Sequence, residues 1–419
     1  MPRTLAVVAL NLCFVFLCGM FSPSEAAERN WPQFRGPDRT DVSAEKGLLK
    51  EWPDGGPPRV WLYQDAGLGY SGPAIVDDRL FIMGARDGTE HLMALDVVAG
   101  KLLWSIELGE EFENRWGNGP RGTPTVDGEL VYALSARGNL VCARVTDGSQ
   151  RWKTTMQALG GSTPNWGYCE SVLIDGDRLV CTPGGEEGTL AALNKYTGEV
   201  LWQSKDFTDG AQYVSIIAAN HNGVRQYIQL TKQTLVGVHA DNGDVLWRSP
   251  WPGQTAVVPT PIFHDGSVYV TSGYGVGCQR VTLGPGHEVH QVYANKNMKN
   301  HHGGVVLVGD HLYGYSDGVG WLCQDFASGE KVWNEKRALG KGAVTCVDGR
   351  LYCLDESDGA VVLAEASPAG WTEHGRFVLE PQTKLRKPAG RIWTHPVVVG
   401  GRLYLRDQEL LFCFDVAAG

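Results

Sequence analysis

At 419 residues the chain has room for two or three average domains, or for one large propeller or barrel. Its 54 glycines follow no collagen-like period and suit a fold of many tight turns, while 14 tryptophans, each carrying about 150–250 Å² of surface, demand an extensive core. A formal charge of −10 with no basic stripe excludes nucleic acid as a partner.

The chain opens with one basic residue, Arg3, an apolar run over residues 5–21, and then Ser24-Glu25-Ala26. This reads as a secretory signal peptide over residues 1–26, cut after Ala26, which places the protein in the periplasm, outside the cell or in the cell envelope. An uncleaved membrane anchor is the alternative, since the run approaches bilayer length. A lipoprotein signal fits less well, because Leu12 and Leu17 precede Cys13 and Cys18 where a small residue is expected. After cleavage no stretch is apolar for long enough to span a membrane. Residues 27–54 form an N-terminal segment whose Trp31 and Phe34 favour packing on the rest of the chain.

From residue 94 a pattern recurs: ALDVVAGKLLW, CARVTDGSQRW, AALNKYTGEVLW, GVHADNGDVLW and CQDFASGEKVW. A glycine stands four places before each tryptophan (Gly100, Gly148, Gly198, Gly243, Gly329) and a small residue ten places before (Ala94, Cys142, Ala192, Gly237, Cys323). Hairpin-forming dipeptides between apolar runs give a second marker, at Asp77, Asp127, Asp175, Asn222, Asp265, Gly309, Asp348 and Gly400, spaced on average by about 46 residues. Each unit reads as four antiparallel strands, and such a sheet buries both faces only when stacked radially on its neighbours.

The predicted fold is therefore an all-β, eight-bladed β-propeller over residues 55–419. The eighth unit ends after its third strand, LLFCFDVAAG, and the missing strand is available in PPRVWLY, so residues 55–64 complete the last blade and close the ring. Trp61, Trp104, Trp152, Trp202, Trp247 and Trp333 act as blade clasps, each reaching across a neighbouring sheet where only a small residue leaves room. Blade five carries His290 near the tryptophan place, and blade seven the degenerate SPAGWTEHGRFVL.

ALDVVAGKLLW and ALNKYTGEVLW resemble the repeat of the quinoprotein-like (pyrroloquinoline quinone repeat) propellers, and the resemblance covers nearly the whole chain beyond the leader. It implies two functional branches: alcohol dehydrogenases holding pyrroloquinoline quinone and calcium on the propeller axis, and non-catalytic scaffolds such as the outer-membrane assembly lipoprotein. The dehydrogenase branch typically sets a vicinal Cys-Cys disulfide over the quinone and adds cap segments; no two cysteines are adjacent here and the chain is short. By resemblance Glu170 is the one candidate calcium ligand. Cysteine register points to buried, unpaired thiols: Cys142, Cys323 and Cys413 share the small third-strand position, and Cys181 and Cys353 share a second-strand one.

A site is expected where the loops leading into the inner strands meet at one mouth of the central channel. These loops carry Trp116, Asn118 and Arg121; Trp166, Tyr168 and Glu170; Tyr213; Asn300, His301 and His302; Lys341; and Arg391, Trp393 and His395. Rings for stacking and cations for carboxylates suit an anionic aromatic ligand or a sugar, although the same groups would also serve to satisfy one another. Of His301 and His302 at most one is expected to reach the channel, since neighbours on a strand face opposite ways. No CxxC or HExxH spacing supports zinc. The favoured reading is a non-enzymatic binding or scaffolding module of the cell envelope, taking a protein partner or a small ligand at the mouth; the alternative is a quinone-dependent alcohol dehydrogenase.

Overall fold

A computed structural model describes residues 30–419; the signal peptide read from residues 1–26 lies outside them. Thirty-two of the strands form eight four-stranded antiparallel sheets, and one 3-10 turn, Gln157–Leu159, is the sole helical element among the described residues. Blade one is built from Ala74–Val76, Arg79–Arg86, Thr89–Asp96 and Lys101–Glu110, and the same plan repeats through blade seven, whose strands are Gly342–Val347, Arg350–Asp355, Ala360–Glu365 and Glu373–Val378. At four of the inner hairpins (Asn222-Gly223, Asp265-Gly266, Asp348-Gly349, Gly400-Gly401) both central residues have positive φ, as the twist of a two-residue hairpin requires.

Blade eight takes Val397–Val399, Arg402–Asp407 and Leu410–Asp415 from the C-terminus and its outer strand, Arg59–Tyr63, from the other end of the chain. Trp61 sits opposite Cys413 and Arg59 opposite Phe414. Eight apolar cores result, each shared by two successive blades, with the core between blades eight and one completing the ring.

The clasp geometry is specific. The small residue lies directly across from the tryptophan in the same blade (Ala94 from Trp104, Cys142 from Trp152, Ala192 from Trp202, Cys323 from Trp333), next to a β-bulge. The indoles of Trp61, Trp104, Trp152 and Trp202 then project over the turn glycine of the next blade, so it is that glycine, and not the small residue, that makes room in the neighbour. A Cβ on Gly100 would fall 2.6 Å from Trp61, and one on Gly148 2.6 Å from Trp104. Each indole N–H donates to a carbonyl of the next blade: Trp61 to Val97 (3.0 Å), Trp104 to Val145 (3.0 Å), Trp152 to Lys195 (2.8 Å), Trp202 to Ala240 (3.1 Å) and Trp333 to Ser367 (2.9 Å).

Three blades depart from the expected pattern. Trp247 donates instead to Gln226 of its own blade at 2.6 Å, facing a blade five in which Tyr293 stands thirteen places after its cross-strand partner Arg280, against ten from Ala192 to Trp202. Those three added residues of hairpin move the clasp position of blade five from His290 to Tyr293, which covers Gly329 and donates its hydroxyl to the Phe326 carbonyl at 3.1 Å. Between blades seven and eight the indole comes from the N-terminal segment: Trp52 packs against Tyr352 and Phe377, with ring centroids 5.8 and 5.3 Å apart.

The remainder of that segment runs through the middle of the ring. Trp31 exchanges two backbone hydrogen bonds with Ile75 of blade one, Pro32 accepts from Val126 of blade two, and Val42–Ser43 pairs in parallel with Cys346 and Val347 of blade seven. Arg39, buried, donates to the carbonyls of Ser171 and Val172 in blade three and of Ile216 in blade four; Arg35, equally buried, donates to Val305 of blade six. Residues 30–43 thus plug the channel, and two guanidinium groups satisfy inner-strand carbonyls that the ladders leave open. All eight cysteines beyond the leader are free, and seven are buried.

Two outcomes test this packing. Trp202→Ala, which empties a buried position against Tyr227, is expected to cost about 3–5 kcal/mol, read as a lowered denaturation midpoint. Gly243→Ala places a methyl 2.5 Å from the same indole at a φ of +76° and is expected to destabilise although it removes no contact; an unchanged midpoint would refute this seating of the indole.

Candidate functional site

Above the plug lies a cavity of about 530 Å³, within the roughly 300–1,000 Å³ range of small-molecule sites. Trp31, Phe34, Arg35 and Asp41 of the plug form its floor, and every blade contributes to its wall through the loop leading into its inner strand. Rigid sheets fix the bases of these loops, so side chains far apart in sequence meet at set positions.

Of the residues singled out from sequence, Trp116, Arg121, Trp166, Tyr213, His302, Lys341, Trp393 and His395 all line this cavity, together with His301 and Arg391. Tyr168 and Glu170 do not. Their segment is extended, so alternate residues face opposite ways: Cys169 and Ser171 line the cavity while Tyr168 and Glu170 point into the wall. Tyr168 is packed between blades two and three with its hydroxyl on the Pro183 carbonyl at 3.0 Å. Both oxygens of Glu170 are held by Thr182, from its N–H at 2.7 Å and its hydroxyl at 2.8 Å. Asn118 accepts from the Asn114 N–H, and Asn300 is buried with its amide on the carbonyls of Gly304 and Tyr315.

The two neighbouring histidines both reach the cavity, against expectation, because residues 301–304 form a bend ahead of the inner strand and the alternation of a strand does not apply. Their rings stack with centroids 3.7 Å apart. The stack continues through Trp393, 4.6 Å from His302, to Tyr70, 5.1 Å further, and at its other end Tyr274 meets His301 edge-on at 4.5 Å. Tyr70, Tyr274, Cys169 and Glu356 also line the cavity, and the sequence by itself does not single them out. Tyr70 precedes an inner strand as Trp393 does, so aligning those loops would have found it; Glu356 and Tyr274 sit on second-to-third-strand turns, where sequence offers no such signal.

Several polar groups of the wall are paired, while His301 Nε2 and His302 Nδ1 are buried without a hydrogen-bond partner. Lys341 Nζ is 2.7 Å from Asp317 and 3.0 Å from His301 Nδ1. Glu356 accepts from the Trp393 indole at 3.1 Å, and His302 Nδ1 lies 4.0 Å away. His395 bridges the wall and the plug, with Nδ1 2.9 Å from Asp41 and Nε2 3.0 Å from the His302 carbonyl. Burial, reinforced by Lys341, lowers His301 to about 4, and burial lowers His302 as well, so both imidazoles are neutral near pH 7. Burial raises Glu356 to about 7. This is chemistry for hydrogen-bonding a ligand, with no nucleophile paired to a base.

A quinone and calcium centre of the dehydrogenase kind does not fit these residues. Glu170 has no free oxygen and faces away from the cavity, and the described residues contain no group of three or more His, Cys, Asp or Glu side chains placed to hold a metal ion.

With this geometry in place, comparison with known proteins is informative. Residues 88–335 match the family model described as outer membrane protein assembly factor BamB. The chain belongs to this family. Among BamB proteins, that of Yersinia pestis is 23% identical over 97% of this chain and 86% of its own length, and that of Escherichia coli 25% identical over 73% and 76%. The BamB structure from Moraxella catarrhalis superposes with a TM-score of 0.62 at 15% identity, covering 86% of this chain and 98% of that one. The quinohemoprotein alcohol dehydrogenase of Comamonas testosteroni gives 0.63 at 12% identity, covering 94% and 82%. Such likenesses show the shared fold and leave activity to the site.

Glu170 provides a pH test. Burial raises it from 4.5 to about 7, so the folded state holds a proton that the unfolded chain releases earlier; this part of the stability is full below about pH 4.5 and is lost as pH rises through 7. In Glu170→Gln the unfolding midpoint is expected to fall less between pH 5 and 8 than in the parent protein; equal pH slopes would contradict the assignment.

Proposed function

We propose that this chain is a non-enzymatic binding or scaffolding propeller of the cell envelope, exported by its N-terminal leader, with the axial cavity as its ligand site. Membership of the BamB family supports the envelope role, since relatives bearing that name are outer membrane protein assembly factors. The observation that carries the reading is the mouth itself. Its lysine is held by Asp317 and His301, Glu356 by the Trp393 indole and His395 by the plug, its floor is closed by residues 30–43, and its walls are aromatic. Such a cavity holds a ligand without transforming it. Among the described residues no helix is long and apolar enough to cross a membrane.

The competing reading, a quinone-dependent alcohol dehydrogenase, is separated by one experiment. Purified protein is heated with and without pyrroloquinoline quinone and calcium, then assayed for dye reduction with primary alcohols. The scaffold reading expects no turnover and no calcium-dependent shift. A cofactor bound at 100 times its dissociation constant would add about 2.7 kcal/mol, and such a shift accompanied by alcohol-dependent dye reduction would replace this reading with the enzymatic one.

A further inference from the structure

The cavity is chemically lopsided. Beside Lys341 its charges are neutralised internally, but three arginines, from the loops entering blades two and eight, line the rim around Tyr70 and Trp116. Arg115 lies over the Trp116 ring at 5.1 Å. Arg121 lies over Tyr70 and Phe112 at 5.7 and 4.9 Å and donates to the carbonyls of Gly117 and Gly119. Arg391 donates to its own loop at Pro388 and Gly390, and Gly390 abuts the Trp116 carbonyl and the Tyr70 hydroxyl. Among the described residues none of the three forms an ion pair; Glu356 and Glu90 act on Arg391 and Arg121 only electrostatically, from a distance. In a protein of charge −10, three unpaired guanidinium groups at one cavity rim are a built anion site, and the planar fork of arginine suits a carboxylate.

A second feature narrows the ligand. Ser171 and Ser215 face the cavity, and each hydroxyl oxygen accepts a backbone N–H from the blade before it: Thr123 to Ser171 at 2.8 Å, Ser171 to Ser215 at 3.0 Å. Neither hydroxyl proton has an acceptor among the described residues, so both remain available to a ligand. Donors of this kind, with the neutral His302 and Glu356 as further partners and Trp393 and Trp166 as flat surfaces, match a ring bearing several hydroxyls on one side and C–H bonds on its faces.

We propose that the cavity binds a uronic-acid sugar, its carboxylate on the Arg115, Arg121 and Arg391 side and its ring against the indoles. The proposal rests on the reading of the chain as a binding module and names the ligand class. The sugar is either a free acid or the end of an acidic polysaccharide; a volume of about 530 Å³ admits one or two rings and no folded partner.

Isothermal titration of the full chain with galacturonate, with digalacturonate and with galactose tests it. Either acid is expected to bind at least tenfold more tightly than galactose and to weaken as salt is raised; the monomer binding as well as the dimer identifies a free acid, and a preference for the dimer a polysaccharide end. Arg121→Ala and Arg391→Ala are each expected to weaken binding about ten- to hundredfold, the loss of one charge-assisted contact. Arg115→Ala, at an exposed residue, reports the same effect without risk to folding. Galactose binding as tightly as the acids, no acid binding at about 10 mM, or full affinity in all three variants would overturn the proposal. Dye reduction in the cofactor experiment would instead overturn the binding-module reading, so the two failures are separable.

Discussion

A four-stranded blade has two apolar faces and can bury neither alone, so the molecule depends on the contact that joins one blade to the next: an outer-strand indole seated on a turn glycine of its neighbour. Dispersion and area burial supply the attraction, and the indole N–H supplies direction by capping a carbonyl of that turn. The glycine is required twice over, because its φ is positive and because a Cβ would occupy the ring's place. Trp61 makes this same contact from the far end of the chain, and the ring therefore closes without a special joint.

A closed ring creates a different difficulty at its axis, where inner-strand carbonyls face inward with little to bond. The segment over residues 30–43 resolves it. Arg35 and Arg39 carry fixed donors into the channel, and although burial lowers the basicity of both, several carbonyls and Asp41 compensate the desolvation. The plug in turn decides the shape of the site: with one end of the channel filled, the other becomes a cavity with a floor, and His395 ties wall to floor through Asp41. The axis here presents stacked imidazoles, a protonatable carboxylate and a rim of arginines without ion pairs.

The division of labour around the mouth follows from how each group is held. Near Lys341 the lysine is held by Asp317 and His301, and Glu356 by the Trp393 indole. The arginines contact only backbone carbonyls and aromatic faces, and none of them forms an ion pair. Electrostatic attraction to an anion is strongest where no internal partner competes, and this asymmetry would orient a ligand in the cavity.

Blade number, strand order and ring closure were legible in the linear sequence because they rest on local chemistry: Asx-Gly turns, period-two apolar runs, and a tryptophan at fixed distance from a glycine. Loop residues bound for the mouth were legible as a set for the same reason, since any residue just ahead of an inner strand must arrive there. Tertiary structure alone decided the rest. A turn lengthened by a few residues moved the blade-five clasp from His290 to Tyr293, a bend brought His301 and His302 face to face, and an extended stretch turned Tyr168 and Glu170 into the wall. Whether the N-terminal segment packs or hangs free depends on backbone groups contributed by seven different blades, and no window of sequence contains them together.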